Sequence, residues 1–488
     1  MLDWSRAEIL ELLDTASEIW TRTLADIANL AVVPGRSQAE VVEQVGLEFQ
    51  AQPLASEELR GFLERFVENS GLPGHPAFLG YIVGAGTPAA AIADLLASAL
   101  TPNVGGWQFS PGAHELERQL VDWFGGMLGL PEGRGGLVVG GGAIGNLVGL
   151  KLARDQQLGL TVRREGLRET ASHIIYASDQ AHDTIQRGAD ILGLGSSSVR
   201  VIASDSSGRM LIDELRGAID RDIAVGTRPI AVVATAGTTG TGAVDPLEEI
   251  ATVATEHGLW FHVDAAYGGG LALVPELREV LSGIERADSV IVDAHKWLYV
   301  SAPACLTLVR DAKHLTQSFA VAPAYVFEDA GRSGQGVNAA FISPTFSRAF
   351  DALKIILSLL AHGTDAYAAR IRHDVRLSEY LAGRIEEEPD LELLIPPSLS
   401  VCCYRYRPPG VSMPPAGDDY LDELNERILV ELQLGGRLFP SNATVQGRFA
   451  LRTCIVNFRT EAAELDLLLE ETRRIGERLH AELTAGRP

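Results

Sequence analysis

Short apolar runs punctuate the middle of the chain at 137–139, 174–177, 199–203, 229–234, 260–263, 289–292 and 305–309. They lack the polar alternation of a half-exposed strand, so they read as strands buried on both faces. Between most of them lie segments with helical spacing, at 146–155, 183–192, 211–219 and 247–257. Strands alternating with helices predict an α/β domain with a mostly parallel seven-stranded sheet covered on both faces. Upstream, Ile9, Leu10, Leu12, Leu13, Ile19 and Trp20 form a helical stripe. Helices are also expected over 89–100 and 114–127, after a Gly- and Pro-rich irregular stretch at 71–88. Downstream, 348–360 predicts a long connecting helix, followed by charged helices and strands at 401–406 and 450–456. The expected organisation is an N-terminal helical arm (1–90), a large α/β domain (91–360) and a small α/β C-terminal domain (361–488).

The ends of the predicted strands carry the chemistry. In IVDAHKWLYV (291–300), Lys296 follows an apolar strand, with Asp293 and His295 before it and Trp297 after it. Apolar surroundings disfavour the ammonium and free the amine for Schiff-base formation, although a lone lysine there also reads as a surface residue. In WFHVDAAYGGG (260–270), Asp264 ends a strand and is followed by the small Ala265 and Ala266. An acid at the carboxyl end of a parallel strand points into the ligand crevice. There it could pair with the pyridinium nitrogen of a pyridoxal ring, cap a helix or bind a metal. In LVVGGGAIGNLVGL (137–150) a strand runs through Gly140–Gly142 into a helix, whose first N–H groups suit a phosphate. No GK[ST] follows, and the acid that a dinucleotide site wants about 20 residues on is missing. His182, in YASDQAHDTI, could stack on a flat ring or simply cap a helix. Thr238 and Thr239, in VVATAGTTGTGAVDP, could bond a cofactor oxygen or form an ordinary turn. All these strand ends would open on one edge of the sheet.

Taken together, HVDAAYGG (262–269), DAHKW (293–297), SPGAHELE (110–117), AGTTGTGAVDP (236–246) and LRTCIVNFRT (451–460) resemble the pyridoxal-phosphate-dependent group II decarboxylases. These include aromatic-amino-acid, histidine and glutamate decarboxylases, and the resemblance spans about 71–468. It implies the aspartate-aminotransferase-like fold (fold type I) and a homodimer with active sites at the interface. It also implies decarboxylation of an L-amino acid to an amine with pyridoxal 5'-phosphate on Lys296. By position, Asp264 would pair with the ring nitrogen, His182 stack on the ring, and Thr239 and Ala266 lie against it. Gly142 and Ala143 would hold the phosphate, with Asp293 and His295 nearby. Arg452 would bind a substrate carboxylate, and Tyr325, in a loop after AVAPA, would return a proton to the α-carbon. Tyr81, Asn103 and Gly105 would line the substrate pocket. Ala143 stands where a serine is usual, His114 where threonine is frequent, and Ile82 where an aromatic is common. With the glycines of NVGGWQF (103–109), these departures suggest a roomier, less aromatic pocket. Other outcomes on the same scaffold are oxidative deamination to an aldehyde, β-elimination from a sulfur-conjugated or bulky amino acid, or ligand binding without catalysis.

Composition narrows the partners. A net charge of −23 and a pI near 4.9 disfavour nucleic acid and anionic membranes. The four cysteines form no CxxC pair, so neither a disulfide framework nor a metal site is expected. The opening MLDWSRAEILELLD has early acids and no apolar core, and no stretch suits a bilayer, so a cytoplasmic location is expected.

Overall fold

The structure, a computed structural model, describes residues 3–47, 49, 51–167, 172–320, 338–409 and 419–485. Each expected apolar run is a strand: β1 (Gly135–Val139), β2 (His173–Ser178), β3 (Val199–Ile202), β4 (Arg228–Thr235), β5 (Trp260–Asp264), β6 (Ser289–Asp293) and β7 (Cys305–Val309). They form one sheet in the order β1-β7-β6-β5-β4-β2-β3. Pairings among β2 to β6 are parallel, whereas β7 runs antiparallel to both β6 and β1. Strands β2, β5, β6 and β7 are buried along their whole length, as continuous apolar runs require when helices cover both faces.

A second, antiparallel sheet contains β8 (Leu391–Ser398), β9 (Val401–Tyr406), β10 (Ser441–Val445) and β11 (Arg448–Cys454), ordered β10-β11-β9-β8. The connecting helix expected over 348–360 is Ala352–His362; it ends at Gly363, whose φ is 76°, and a charged helix, Thr364–Glu387, follows. Arg348 lies ahead of them. It is buried and pairs with Glu117 at 2.6 Å, while its Nη2 also donates to the Val138 carbonyl (2.8 Å).

The N-terminal helices Arg6–Asp26, Gln38–Val45 and Ser56–Glu68 bury only Ile19 among them. Ile9, Leu10, Leu13, Val42 and Phe66 remain exposed. Past this arm, the chain passes between the small sheet and the loop carrying Lys296. Leu79 N–H donates to the Phe439 carbonyl (3.0 Å), and Gly84 N–H to the His295 carbonyl (3.0 Å). No helix among the described residues is long and apolar enough to cross a membrane.

Candidate active site

The parallel strands deliver their C-terminal ends to one edge of the sheet. β5 ends in Asp264, which is 6% exposed. Its Oδ1 accepts Ala266 N–H (3.1 Å) and its Oδ2 accepts Asn146 Nδ2–H (2.8 Å). Neighbouring β6 ends in Asp293, and the turn beyond it carries His295 and Lys296, both part-buried. His295 Nδ1 lies 2.6 Å from Asp293 Oδ1. Among the described residues, nothing makes a hydrogen bond or ion pair with Lys296 Nζ. Trp297 anchors the turn through a 3.1 Å bond from its indole N–H to Asp374, a carboxylate that Tyr299 and Arg370 share. Burial raises the Asp374 carboxyl to about 7 against the opposing pull of Arg370.

The glycine turn after β1 starts the helix Gly142–Leu158. Gly141 sits at φ 99°, a conformation that side chains resist, and so lets the strand turn sharply into the helix. Gly142 N–H donates to Asp293 Oδ2 (3.1 Å), so this helix start presents an amide to an anionic oxygen. Ala143, with no side-chain donor, leaves only its backbone N–H for the same purpose. A Cβ on Gly142 would lie 3.7 Å from that of Ala266, which places the helix start beside the β5 turn.

His182 and Thr239 line one cavity of about 770 Å³ together with Asp179, Asp183 and Gly240. Thr238 is turned away and buried, bracing the turn through Thr241 Oγ1 (3.0 Å) and Ala243 N–H (3.0 Å). His182 connects to Asp264 by way of Thr184 and Asn146. Asn146 was not singled out from the sequence. It looks like an ordinary helix residue, and its partners Asp264 and His262 lie more than a hundred residues away in the chain.

Arg452, on β11, is 2% exposed. Its Nε donates to the Gly240 carbonyl (3.2 Å), and Nη1 to Ser441 Oγ (2.9 Å) and the Tyr81 carbonyl (3.2 Å). Its Nη2 is buried with no hydrogen-bond partner among the described residues. Tyr81 adopts φ 55°, its carbonyl accepts from the guanidinium, and the residue is 58% exposed. Tyr325 lies outside the described residues.

The residues at 103–106, expected to line the pocket, also make packing contacts within the chain. Asn103 Oδ1 accepts the N–H groups of Gly105 (2.9 Å) and Arg348 (3.1 Å). A Cβ at Gly105 would collide with the Phe346 carbonyl oxygen, so this glycine permits close backbone packing. Ile82 is buried in the main core.

An unpaired amine, a buried carboxylate on the adjacent strand end and a helix start that receives an anion fit pyridoxal phosphate. Among the described residues, no group of three or more His, Cys, Asp or Glu side chains could hold a metal ion.

Residues 40–407 match the family model described as the pyridoxal-dependent decarboxylase conserved domain. The chain is 30% identical to aromatic-L-amino-acid decarboxylase of Bacillus atrophaeus, over 86% of this chain and 85% of that protein. It is 32% identical to phenylacetaldehyde synthase of a Rosa hybrid cultivar, over 81% and 80% respectively. Among solved structures, mouse CSAD superposes with a TM-score of 0.90 at 28% identity, covering 97% of this chain and 99% of that one. Oryza sativa TDC with PLP and tryptamine gives 0.91 at 26% identity, covering 98% and 99%. The fold is accordingly the type I, aspartate-aminotransferase-like fold. The chain belongs to the pyridoxal-dependent decarboxylase family, carboxy-lyases whose cofactor is pyridoxal 5'-phosphate.

Proposed function

We propose that this protein removes the α-carboxyl group of an L-amino acid and releases the corresponding amine. One juxtaposition carries the reading: the unpaired Lys296 amine and the buried Asp264 carboxylate stand at the ends of adjacent strands, β6 and β5. Pyridoxal phosphate, when bound, supplies an aldehyde that condenses with amines and a ring that takes up the electron pair left by departing CO₂. Lys296 would hold that aldehyde carbon until the substrate amine displaces it. Asp264 would keep a proton on the ring nitrogen, which strengthens the electron sink. His182 would cover one face of the ring, and Thr239 would sit near its edge. Gly142 and Ala143 would bind the phosphate through backbone N–H groups, with the Asp293–His295 pair beside them. Arg452 Nη2, bare and buried, suits a substrate carboxylate, because an unmade bond from a buried cation is costly. Tyr325 would deliver the proton to the α-carbon.

Likeness to phenylacetaldehyde synthase supports a second reading, in which oxygen intercepts the reaction and an aldehyde is released. One experiment tests both. The purified enzyme is incubated with aromatic, acidic and sulfur-conjugated L-amino acids, and CO₂, amine, aldehyde and peroxide are measured together. CO₂ matched by amine supports the first reading, and CO₂ matched by aldehyde and peroxide the second. Turnover without CO₂ refutes both.

A homodimer is part of the proposal. Beyond the arm, the helix Pro88–Leu100 leaves Ile92, Leu95, Leu96 and Leu100 between 46% and 76% exposed, and Phe109 is 79% exposed. Apolar surface of this extent calls for a cover, and a second copy supplies one. A fully active monomer in sedimentation would contradict this.

A further inference from the structure

Asp264 and His182, the two side chains read here as facing the cofactor ring, are joined through a single buried amide. Asn146 is 2% exposed on the helix Gly142–Leu158. Its Nδ2 donates to Asp264 Oδ2 (2.8 Å) and to Thr184 Oγ1 (2.9 Å). Its Oδ1 lies 2.9 Å from His262 Nε2. His262 Nδ1 in turn lies 2.8 Å from Ser289 Oγ, which accepts the Trp260 indole N–H at 2.9 Å. Gly149 makes room for this arrangement: a Cβ there would lie 2.5 Å from the His262 ring.

The proton positions follow from donor chemistry. The Asp264 carboxylate only accepts, so Asn146 turns its NH₂ to it and its carbonyl oxygen to His262 Nε2, which leaves His262 Nδ1 to accept from Ser289 Oγ–H, the hydroxyl that also accepts the Trp260 indole N–H. His262 then carries its proton on Nε2 and gives it to Asn146 Oδ1. That bond holds the amide with the carbonyl toward the histidine and the NH₂ toward the carboxylate. At the other end, Thr184 N–H donates to His182 Nδ1 at 3.1 Å. His182 Nδ1 is therefore an acceptor, and the proton of the neutral ring sits on Nε2. Each bond from Trp260 to Asp264 points toward the Asp264 carboxylate, and aligned donors of this kind polarise one another. Burial pushes the His262 imidazole down to about 4, so it stays neutral at physiological pH.

We propose that Asn146 is a positioning residue: it aims Asp264 at the ring nitrogen and, by donating to Thr184 Oγ1 so that this hydroxyl turns its hydrogen to His182 Nδ1 3.1 Å away, helps the Thr184 N–H hold His182 as the Nε2-protonated tautomer, while His262 and Ser289 keep the Asn146 amide from flipping. A flipped amide would set its carbonyl oxygen against the Asp264 carboxylate. This proposal rests on the reading of Asp264 and His182 given above.

Neutron diffraction on crystals of the cofactor-free protein, exchanged into D₂O, tests the proton positions without any substitution. Deuterium is expected on Nε2 of both His262 and His182, and density on Nδ1 of either would overturn the proposal. The coupling is tested by absorbance titration of the same protein with pyridoxal phosphate. Asn146→Leu and His262→Leu should each weaken cofactor binding about tenfold or more, since each weakens the donor to a buried anion. In the double variant the loss should match that of Asn146→Leu alone, because the two act in series. His262→Gln, whose amide N–H reaches the Nε2 position, should restore binding to within about threefold of wild type. Additive losses, or no rescue by glutamine, would overturn the proposal. A wild type that binds no pyridoxal phosphate would instead defeat the functional reading, whatever the neutron map shows.

Discussion

When the pH falls below about 6.5, a histidine in an unfolded chain takes up a proton, but His262 in the folded protein does not. Its imidazole is fully buried between β5, β6 and the helix Gly142–Leu158, and burial holds its pKa near 4. Asp264 is the charged group facing it and pulls the other way, without prevailing. The folded pKa is thus depressed. The stability linked to it is fully present above the unfolded value and is lost as pH falls through about 6.5 toward 4. At about 1.4 kcal/mol per pH unit of separation, the loss by pH 4 comes to about 3 kcal/mol. The assay is urea unfolding of the cofactor-free protein at fixed protein concentration, for wild type and His262→Gln, between pH 7.5 and 4.5. Glutamine does not titrate, so the stability difference between the two proteins isolates His262 from the carboxylates that titrate in the same range. Wild type should lose about 2 to 3 kcal/mol more than the variant over this interval. Parallel stability curves would show that His262 gains its proton as easily in the folded state as in the unfolded one, and the reasoning would fail.

Lys296→Ala should abolish the borohydride-fixed linkage to pyridoxal phosphate, as judged by mass spectrometry of the reduced protein; retention of the linkage would move it to another lysine. Asp264→Ala should lower kcat by on the order of 10³-fold or more, since the ring loses the acid that keeps it protonated; near-normal turnover would give the acid another task. Tyr325→Phe should still release CO₂, with its product shifted from amine toward aldehyde and peroxide; an unchanged amine yield would remove the proton-donor role. Gly149→Ala should destabilise the fold by about 1–3 kcal/mol through overpacking against the His262 ring, measured by thermal unfolding; an unchanged melting temperature would contradict the close approach.

The strands inside the main sheet could be read from sequence because each carries a short apolar run, and burial on both faces demands that composition, whereas the edge strand β3 leaves Arg200 and Val201 exposed. Asp264 and Lys296 were legible for a related reason. A polar residue that ends an apolar strand stands out against it, and the carboxyl edge of a parallel sheet is where ligands bind. The small sheet was half legible. β9 and β11 lie in its middle and are apolar, whereas β8 and β10 are its edges. β8 carries Pro396 and Pro397, which an edge strand tolerates, and β10 alternates polar with buried residues in SNATV.

Local pattern could not supply the contacts between distant segments. The antiparallel placement of β7 between β1 and β6 depends on how the chain returns to the sheet, and an apolar run carries no direction. The glycines at 105 and 106 suggested space by their lack of side chains, but at Gly105 the Phe346 backbone fills that space. Asn146 and His262 are 116 residues apart in the chain and look unremarkable where they stand. Sequence alone marked out candidate residues for chemistry, because composition at strand ends is a local property. Only the tertiary structure decided which of them share protons, because a hydrogen bond depends on position in space and not on separation along the chain.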